Sequence, residues 1–314
     1  MGSKYKEISF DNVHLSSIHD RYSKERVENC VPSVKFTKAE AEKLLDSIPP
    51  VLAGNEIRNL INSLRRAKDE GKPCIWTMGA HPVKVSISRH IIALMEAGFI
   101  TQIGSNGAIL VHDTEMSCFG HTSEDVPATI TEGKFATTKE TGEIVNKAVK
   151  RAYEEGMGLG ESIGKLLIEM EPEHLGVSIA AAAYRLNIPF TVHLAIGTDV
   201  IHIHPEVDGA ALGDATHRDF RIFSAGVAEL NGGVFVNLGS AVILPVIIEK
   251  AIALCRNLGH DLGKFDGYNL DFIHHYRTNL NPVKRAIESG GHGAHIYGHH
   301  ELNIPLIAAI LLAE

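Results

Sequence analysis

Short apolar runs alternate along this chain with longer stretches whose apolar residues recur at helical spacing. Residues 73–78, PCIWTM, read as a short buried strand. The loop Gly79-Ala80-His81-Pro82 follows, then a helical pattern through ISRHIIALMEAG with Gly98 as its stop. FITQIG repeats the strand pattern and enters an expected tight turn at Ser105-Asn106-Gly107-Ala108. Further strands are predicted over 189–195, 233–238, 268–273 and in HIYG, with helices in AVILPVIIEKAIALCRNLG and IPLIAAILLAE after the second and last of these. Upstream, Thr37 with Glu40 three residues later predicts a capping box opening a helix that Pro49 and Pro50 end. A second helix is expected over 55–70, and others over 141–155, 161–169, 176–186 and 217–231. Residues 1–35 lack periodicity and read as an arm laid over the surface or onto a partner. Residues 113–140, broken by Gly120, Pro127 and Gly133, read as a long active-site loop.

This alternation predicts an α/β fold: a Rossmann-like, doubly wound, mostly parallel sheet with an N-terminal helical extension. Residues 1–70 form the arm and helices of the same domain, and residues 71–314 the Rossmann-like domain. No apolar run reaches the length of a membrane span, and the polar N-terminus shows no signal-peptide core. Four cysteines without a CxxC pair argue against a zinc ribbon or disulfide framework. A net charge of -8 argues against a nucleic-acid surface. A cytoplasmic enzyme acting on a small molecule is the expectation.

The 18 histidines decide where chemistry is sought. The stretch 192–214, VHLAIGTDVIHIHPEVDGAALGD, gathers Thr198, Asp199, His202, His204, Glu206 and Asp208 where a strand should end. His202 and His204, if extended, point the same way, as two metal ligands would; local hydrogen bonding or an organic-ligand pocket is the alternative. His299-His300-Glu301 is a weaker signal, because adjacent side chains diverge. Lys84 and Lys165 are candidate amines, with solvated lysines the blander reading. A serine hydrolase has no GxSxG elbow. Three strand-to-loop junctions carry small residues: Gly79-Ala80-His81, Gly104 to Ala108, and Asn237 to Ala241. Each alone is ordinary turn chemistry; together they point to a nucleotide crevice.

Four segments in order, CIWTMGAHPVKVSISRHIIALMEAGFITQIGSNGA, SIAAAAYRLNIPFTVHLAIGTD, GGVFVNLGSAVILP and HIYGHHELNIPLIAAILLAE, resemble the deoxyhypusine synthase family. The resemblance implies a Rossmann-like fold that binds NAD and a homotetramer with sites at subunit interfaces. It places cofactor contacts at Gly79, Ala80 and His81, at Asn106, Gly107 and Ala108, at Thr198 and Asp199, and at Gly239, Ser240 and Ala241. The family's catalytic lysine follows a Trp-Gly pair near the C-terminus; here residues 286–291 read AIESGG. Its Lys-His-His is replaced by Leu244-Pro245-Val246. The expectation is therefore an NAD-binding enzyme on a small polar, amine- or amino-acid-like substrate, and not a true deoxyhypusine synthase. His81, His112, His202 and His204 would supply acid/base or substrate contacts. The alternatives are a hydrolase or lyase holding a divalent metal on His202, His204 and Asp199, or a non-catalytic ligand-binding homologue.

Overall fold

The computed structural model describes residues 4–314. Its strands are β1 (Ser23–Arg26), β2 (Cys74–Met78), β3 (Gln102–Asn106), β4 (His121–Glu124), β5 (Phe190–His193), β6 (Val234–Leu238), β7 (Asp266–Asp271) and β8 (Gly293–Tyr297). Six of them form one parallel sheet in the order β5-β3-β2-β6-β7-β8. Numbered among themselves along the chain, these strands run 3-2-1-4-5-6, the order of doubly wound dinucleotide-binding folds. The order reverses between β2 and β6, so the ligand crevice of such a sheet lies outside their carboxyl ends.

Every residue of β2, β6 and β7 is buried, because helices cover both faces. Alternation decides which side chain meets which layer. Trp76, Met78, Val236, Leu238 and Ile296 pack with Leu60, Ile61, Leu64, Ile91 and Ile304. Ile75 and Phe235 pack with Phe223, Val227, Ile248 and Ile252 on the other face. The Thr37–Glu40 capping box forms as the sequence predicts and opens helix Lys38–Ser47.

Two expectations need correction. The segment FITQIG does not end in a tight turn: β3 continues to Asn106, and helix Gly107–Phe119 starts directly at Gly107. Residues 113–140 are not one long loop. They finish that helix, supply β4, and form the short helix Val126–Ile130. The N-terminal arm is tied within its own chain: β1 pairs antiparallel with β4.

Candidate functional site at the switch point

Four strand-to-helix connections meet at the carboxyl edge of the sheet. They follow β2 (Gly79-Ala80-His81), β3 (Asn106-Gly107-Ala108), β5 (Ala195 to Asp199) and β6 (Gly239-Ser240-Ala241). Gly79 faces the side chain of Asn106, and a Cβ at Gly107 would fall into the carboxylate of Asp199. Gly239 adopts φ +71°, a conformation that favours glycine; a Cβ there would lie 2.5 Å from the His300 ring. The small residues that the sequence marks thus lie close together. At Gly107 the need for glycine is explained by the Asp199 carboxylate.

A polar ladder holds the β6 connection. Thr77, Asn237, Asn269 and His295 are in register across β2, β6, β7 and β8. Thr77 Oγ1 donates to Asn237 Oδ1 (3.0 Å). Asn237 Nδ2 donates to Asn269 Oδ1 (2.7 Å) and to the Ser240 carbonyl (2.9 Å). Asn269 in turn donates to His295 Nδ1 at 3.2 Å. A buried, fully paired network of this kind rigidifies what it touches, here the Gly239-Ser240 loop.

His81 opens the short helix after β2, and its Nδ1 lies 2.9 Å from Nδ1 of His300. His300 is fully buried, and its Nε2 is 3.1 Å from the Leu270 carbonyl. The His81 ring also packs on Phe272, with centroids 5.6 Å apart. Burial first, then the neighbouring His300, lower the pKa of His81. Sequence reasoning undervalued His300 because the carbonyl that orients it belongs to β7.

Beside Gly107 lies a cavity of about 200 Å³ lined by Lys84, Ala108, His112, Glu124, Thr198 and Asp199, among others. His112 Nδ1 is 2.7 Å from Thr122 Oγ1. Thr122 donates to Glu115 Oε2 at 2.6 Å, since a carboxylate only accepts. Thr122 Oγ1 therefore accepts a hydrogen bond from His112 Nδ1–H, and His112 Nε2 keeps its lone pair. Arg21, from the arm, pairs with Glu115 at 2.8 Å, and Thr141 donates to the other Glu115 oxygen at 2.9 Å. Burial pushes His112 down to about 4, so the ring is neutral near pH 7. Burial pushes Asp199 up to about 6. Asp199 Oδ2, Glu124 Oε2 and Asn106 Oδ1 are buried acceptors without a hydrogen-bond partner. Glu115 and Thr122 lie in the segment 113–140 that the sequence marks as an active-site region, but no pattern joins them to Arg21 of the arm.

His202 and His204 are not on an extended segment. Val200–Ile203 is a 3-10 turn, and His202 Nδ1 accepts from the backbone N–H groups of Gly197 (3.1 Å) and Asp199 (3.3 Å). His204 packs against Gly142, where a Cβ would collide with its ring. Among the described residues no three His, Cys, Asp or Glu side chains are arranged to hold a metal ion. The alternative of a divalent ion on His202, His204 and Asp199 therefore loses the alternating geometry on which it stood. Lys165 pairs with Glu155 at 2.9 Å on the surface. No described helix is long and apolar enough to cross a membrane.

No protein-family model matches the chain, and no curated protein sequence does. Solved structures match in fold. The arginine dihydrolase ArgZ of the ornithine–ammonia cycle in cyanobacteria superposes with TM-score 0.52 at 14% identity, over 81% of this chain and 31% of that one. AgrE in ternary complex with ornithine and NAD+ gives TM-score 0.52 at 15% identity, over 81% and 32%. The chain thus spans about a third of the length of those two proteins. A candidate deoxyhypusine synthase from Entamoeba histolytica gives TM-score 0.51 at 13% identity, over 88% of this chain and 96% of that one. The fold is therefore the deoxyhypusine-synthase-like, Rossmann-like α/β fold that the order of segments in the sequence implies.

Proposed function

We propose that the chain is an NAD-binding enzyme that acts on a small amine- or amino-acid-like substrate. The observation that carries this reading is the set of unpartnered buried acceptors, Asp199 Oδ2, Glu124 Oε2 and Asn106 Oδ1, around the switch-point edge. Buried acceptors of this kind cost free energy unless a donor reaches them. Asn106 ends β3, the second strand of the sheet in chain order. In dinucleotide folds an acceptor beyond the first phosphate loop takes a ribose hydroxyl, so Asn106 Oδ1 fits a nucleotide ribose. The backbone at Gly79 and at Gly239 to Ala241 would flank the same ligand. A bound NAD would accept and return a hydride.

Asp199 and Glu124 fit the ammonium group of the substrate. Arg21 pairs with Glu115 at 2.8 Å and reaches Glu124 only through Oε1, at 4.0 Å, which leaves Glu124 Oε2 and Asp199 Oδ2 open to a cation. Lys84, on the same wall, would take a carboxylate if the substrate is an amino acid. His112 Nε2, neutral and with its tautomer fixed by Thr122, would remove a proton from the amine so that its lone pair or adjacent C–H can react. Asp199 has a pKa near the working range and would hold or release a proton beside it. The NAD and ornithine in the AgrE structure lend support at the level of shared fold. A homotetramer that closes the site between subunits fits the exposed Phe272, Ile273 and Leu302 near His300. A cytoplasmic location accords with this chemistry.

Thermal-shift titration of the full chain with amines and amino acids, at saturating NAD, tests the substrate class. Stabilisation by at least one amine is expected, and loss of it in Asp199→Asn/Glu124→Gln. Stabilisation by neutral hydroxy acids that survives in the double variant would contradict the assignment.

A further inference from the structure

We infer that His300 is the positioning residue that makes His81 an obligate acceptor at the mouth of the crevice. The Nε2 atom of His81 is then a second acid/base atom of the site. The inference rests on reading this edge as the active site, but its geometry stands apart from any ligand.

Proton count fixes both tautomers. The Leu270 carbonyl can only accept, so at 3.1 Å the His300 nitrogen facing it, Nε2, must carry the proton. A neutral imidazole has one N–H, so His300 Nδ1 is a bare lone pair. The atom facing that lone pair is His81 Nδ1, at 2.9 Å, and it must donate. His81 is thereby held in the Nδ1–H form, and its Nε2 is left as the acceptor. The rings cross nearly edge to face at 78°, and Phe272 packs on the His81 ring. Gly239 completes the brace: its missing side chain is what lets the buried His300 ring approach the β6 connection.

The same arrangement sets how the pair titrates. Protonating His81 at Nε2 keeps the bond to His300 Nδ1. Protonating His300 at Nδ1 would reverse the bond, force His81 into the Nε2–H form and bury the charge. The pair therefore takes up one proton, on His81, before His300 titrates at all. The charged and titratable groups bearing on the two rings are Glu301 and Asp271, which favour the proton, and Lys84 and His299, which oppose it. In turnover, His81 Nε2 accepts a proton from a substrate N–H or O–H and later returns it. No net electron change falls on the pair. His81 belongs to the connection after β2 and His112 to the cavity wall, so the two bases serve different edges of one ligand.

The test is long-range ¹H–¹⁵N NMR of histidine-labelled full-length protein, without NAD. Signals are assigned through His81→Gln and His300→Asn. At pH 7.5 the expected result is His81 protonated at Nδ1, the form that is the minority in free histidine, and His300 protonated at Nε2. His300→Leu should release His81 to the free-histidine mixture. His300→Asn, whose side-chain oxygen can still accept, should keep the Nδ1–H signature. His81 protonated at Nε2 in the unaltered chain would overturn the inference, and that spectrum decides even if His300→Leu fails to fold. Independent titration of both rings near the ordinary histidine value would overturn it equally. If NAD fails to bind while the tautomers are as stated, the functional reading falls and the relay stands.

Discussion

The carboxylate of Asp199 occupies the space that a side chain at position 107 would need, so its seat at the start of helix Gly107–Phe119 requires glycine there. Gly107→Ala must therefore displace Asp199 into solvent or shift the helix. The expected cost is about 1–3 kcal/mol of stability, as for other overpacked sites, read by urea denaturation. Asp199 should also lose the burial that raises its pKa. A Gly107→Ala chain as stable as the parent, with Asp199 still titrating near 6, would show that the carboxylate is free to yield.

Arg21 and Glu115 form a buried pair whose partners come from the arm and from helix Gly107–Phe119. Removing one partner of such a pair leaves an uncompensated charge and costs about 3–5 kcal/mol. Arg21→Ala should lower the unfolding free energy by that amount, read as a lower urea midpoint, and Arg21→Ala/Glu115→Gln should recover part of it. Equal midpoints for the single and double variants would mean that Arg21 acts by packing alone.

Thr122 links His112 to Glu115. Thr122→Val preserves shape but strands a donor and an acceptor, at a cost of about 1–3 kcal/mol. It also frees the His112 tautomer. In an NAD-coupled amine assay, kcat should fall at least tenfold with KM little changed. A change confined to KM would place His112 in binding and not in proton transfer.

Asp219 gives the clearest pH signature. Its Oδ2 accepts from the Gly160 and Val192 N–H groups, while burial pushes its pKa up to about 8. The folded chain therefore holds a proton that the unfolded chain, with an ordinary aspartate, gives up above about pH 4. Stability falls as pH rises through that window and levels off above about 8. Below about 6.5 the lowered pKa values of His112 and His193 act in the opposite sense. Between pH 6.5 and 8 the aspartate dominates, with a slope of up to about 1.4 kcal/mol per pH unit. Urea midpoints should fall across that range in the parent and stay flat in Asp219→Asn. A parent midpoint that rises with pH there would contradict the assignment.

The sheet was legible because its strands are apolar runs ending in small residues, and burial on both faces demands such runs. β1 and β4 were not legible: SKER and HTSE are polar segments held by each other and by the Arg21 network. The HIHP repeat misled because alternation implies an extended chain, whereas the turn after Asp199 is closed by His202 itself. The polar ladder does leave a trace in the sequence. CIWTM, VFVNL, DGYNLD and GAHIY each carry a polar residue at a facing position, and the parallel register joins Thr77, Asn237, Asn269 and His295 into the ladder behind Ser240. His300 was undervalued for the opposite reason, since nothing local reveals a carbonyl on another strand.

Calorimetric titration of the full chain with NAD is the most direct test of the central claim, that the switch-point edge is a dinucleotide site. Saturable binding at one NAD per chain is expected, with about tenfold weaker binding in Asn106→Ala, the equivalent of about 1.4 kcal/mol for one hydrogen bond. Folded protein that takes up no NAD at millimolar concentration would contradict it.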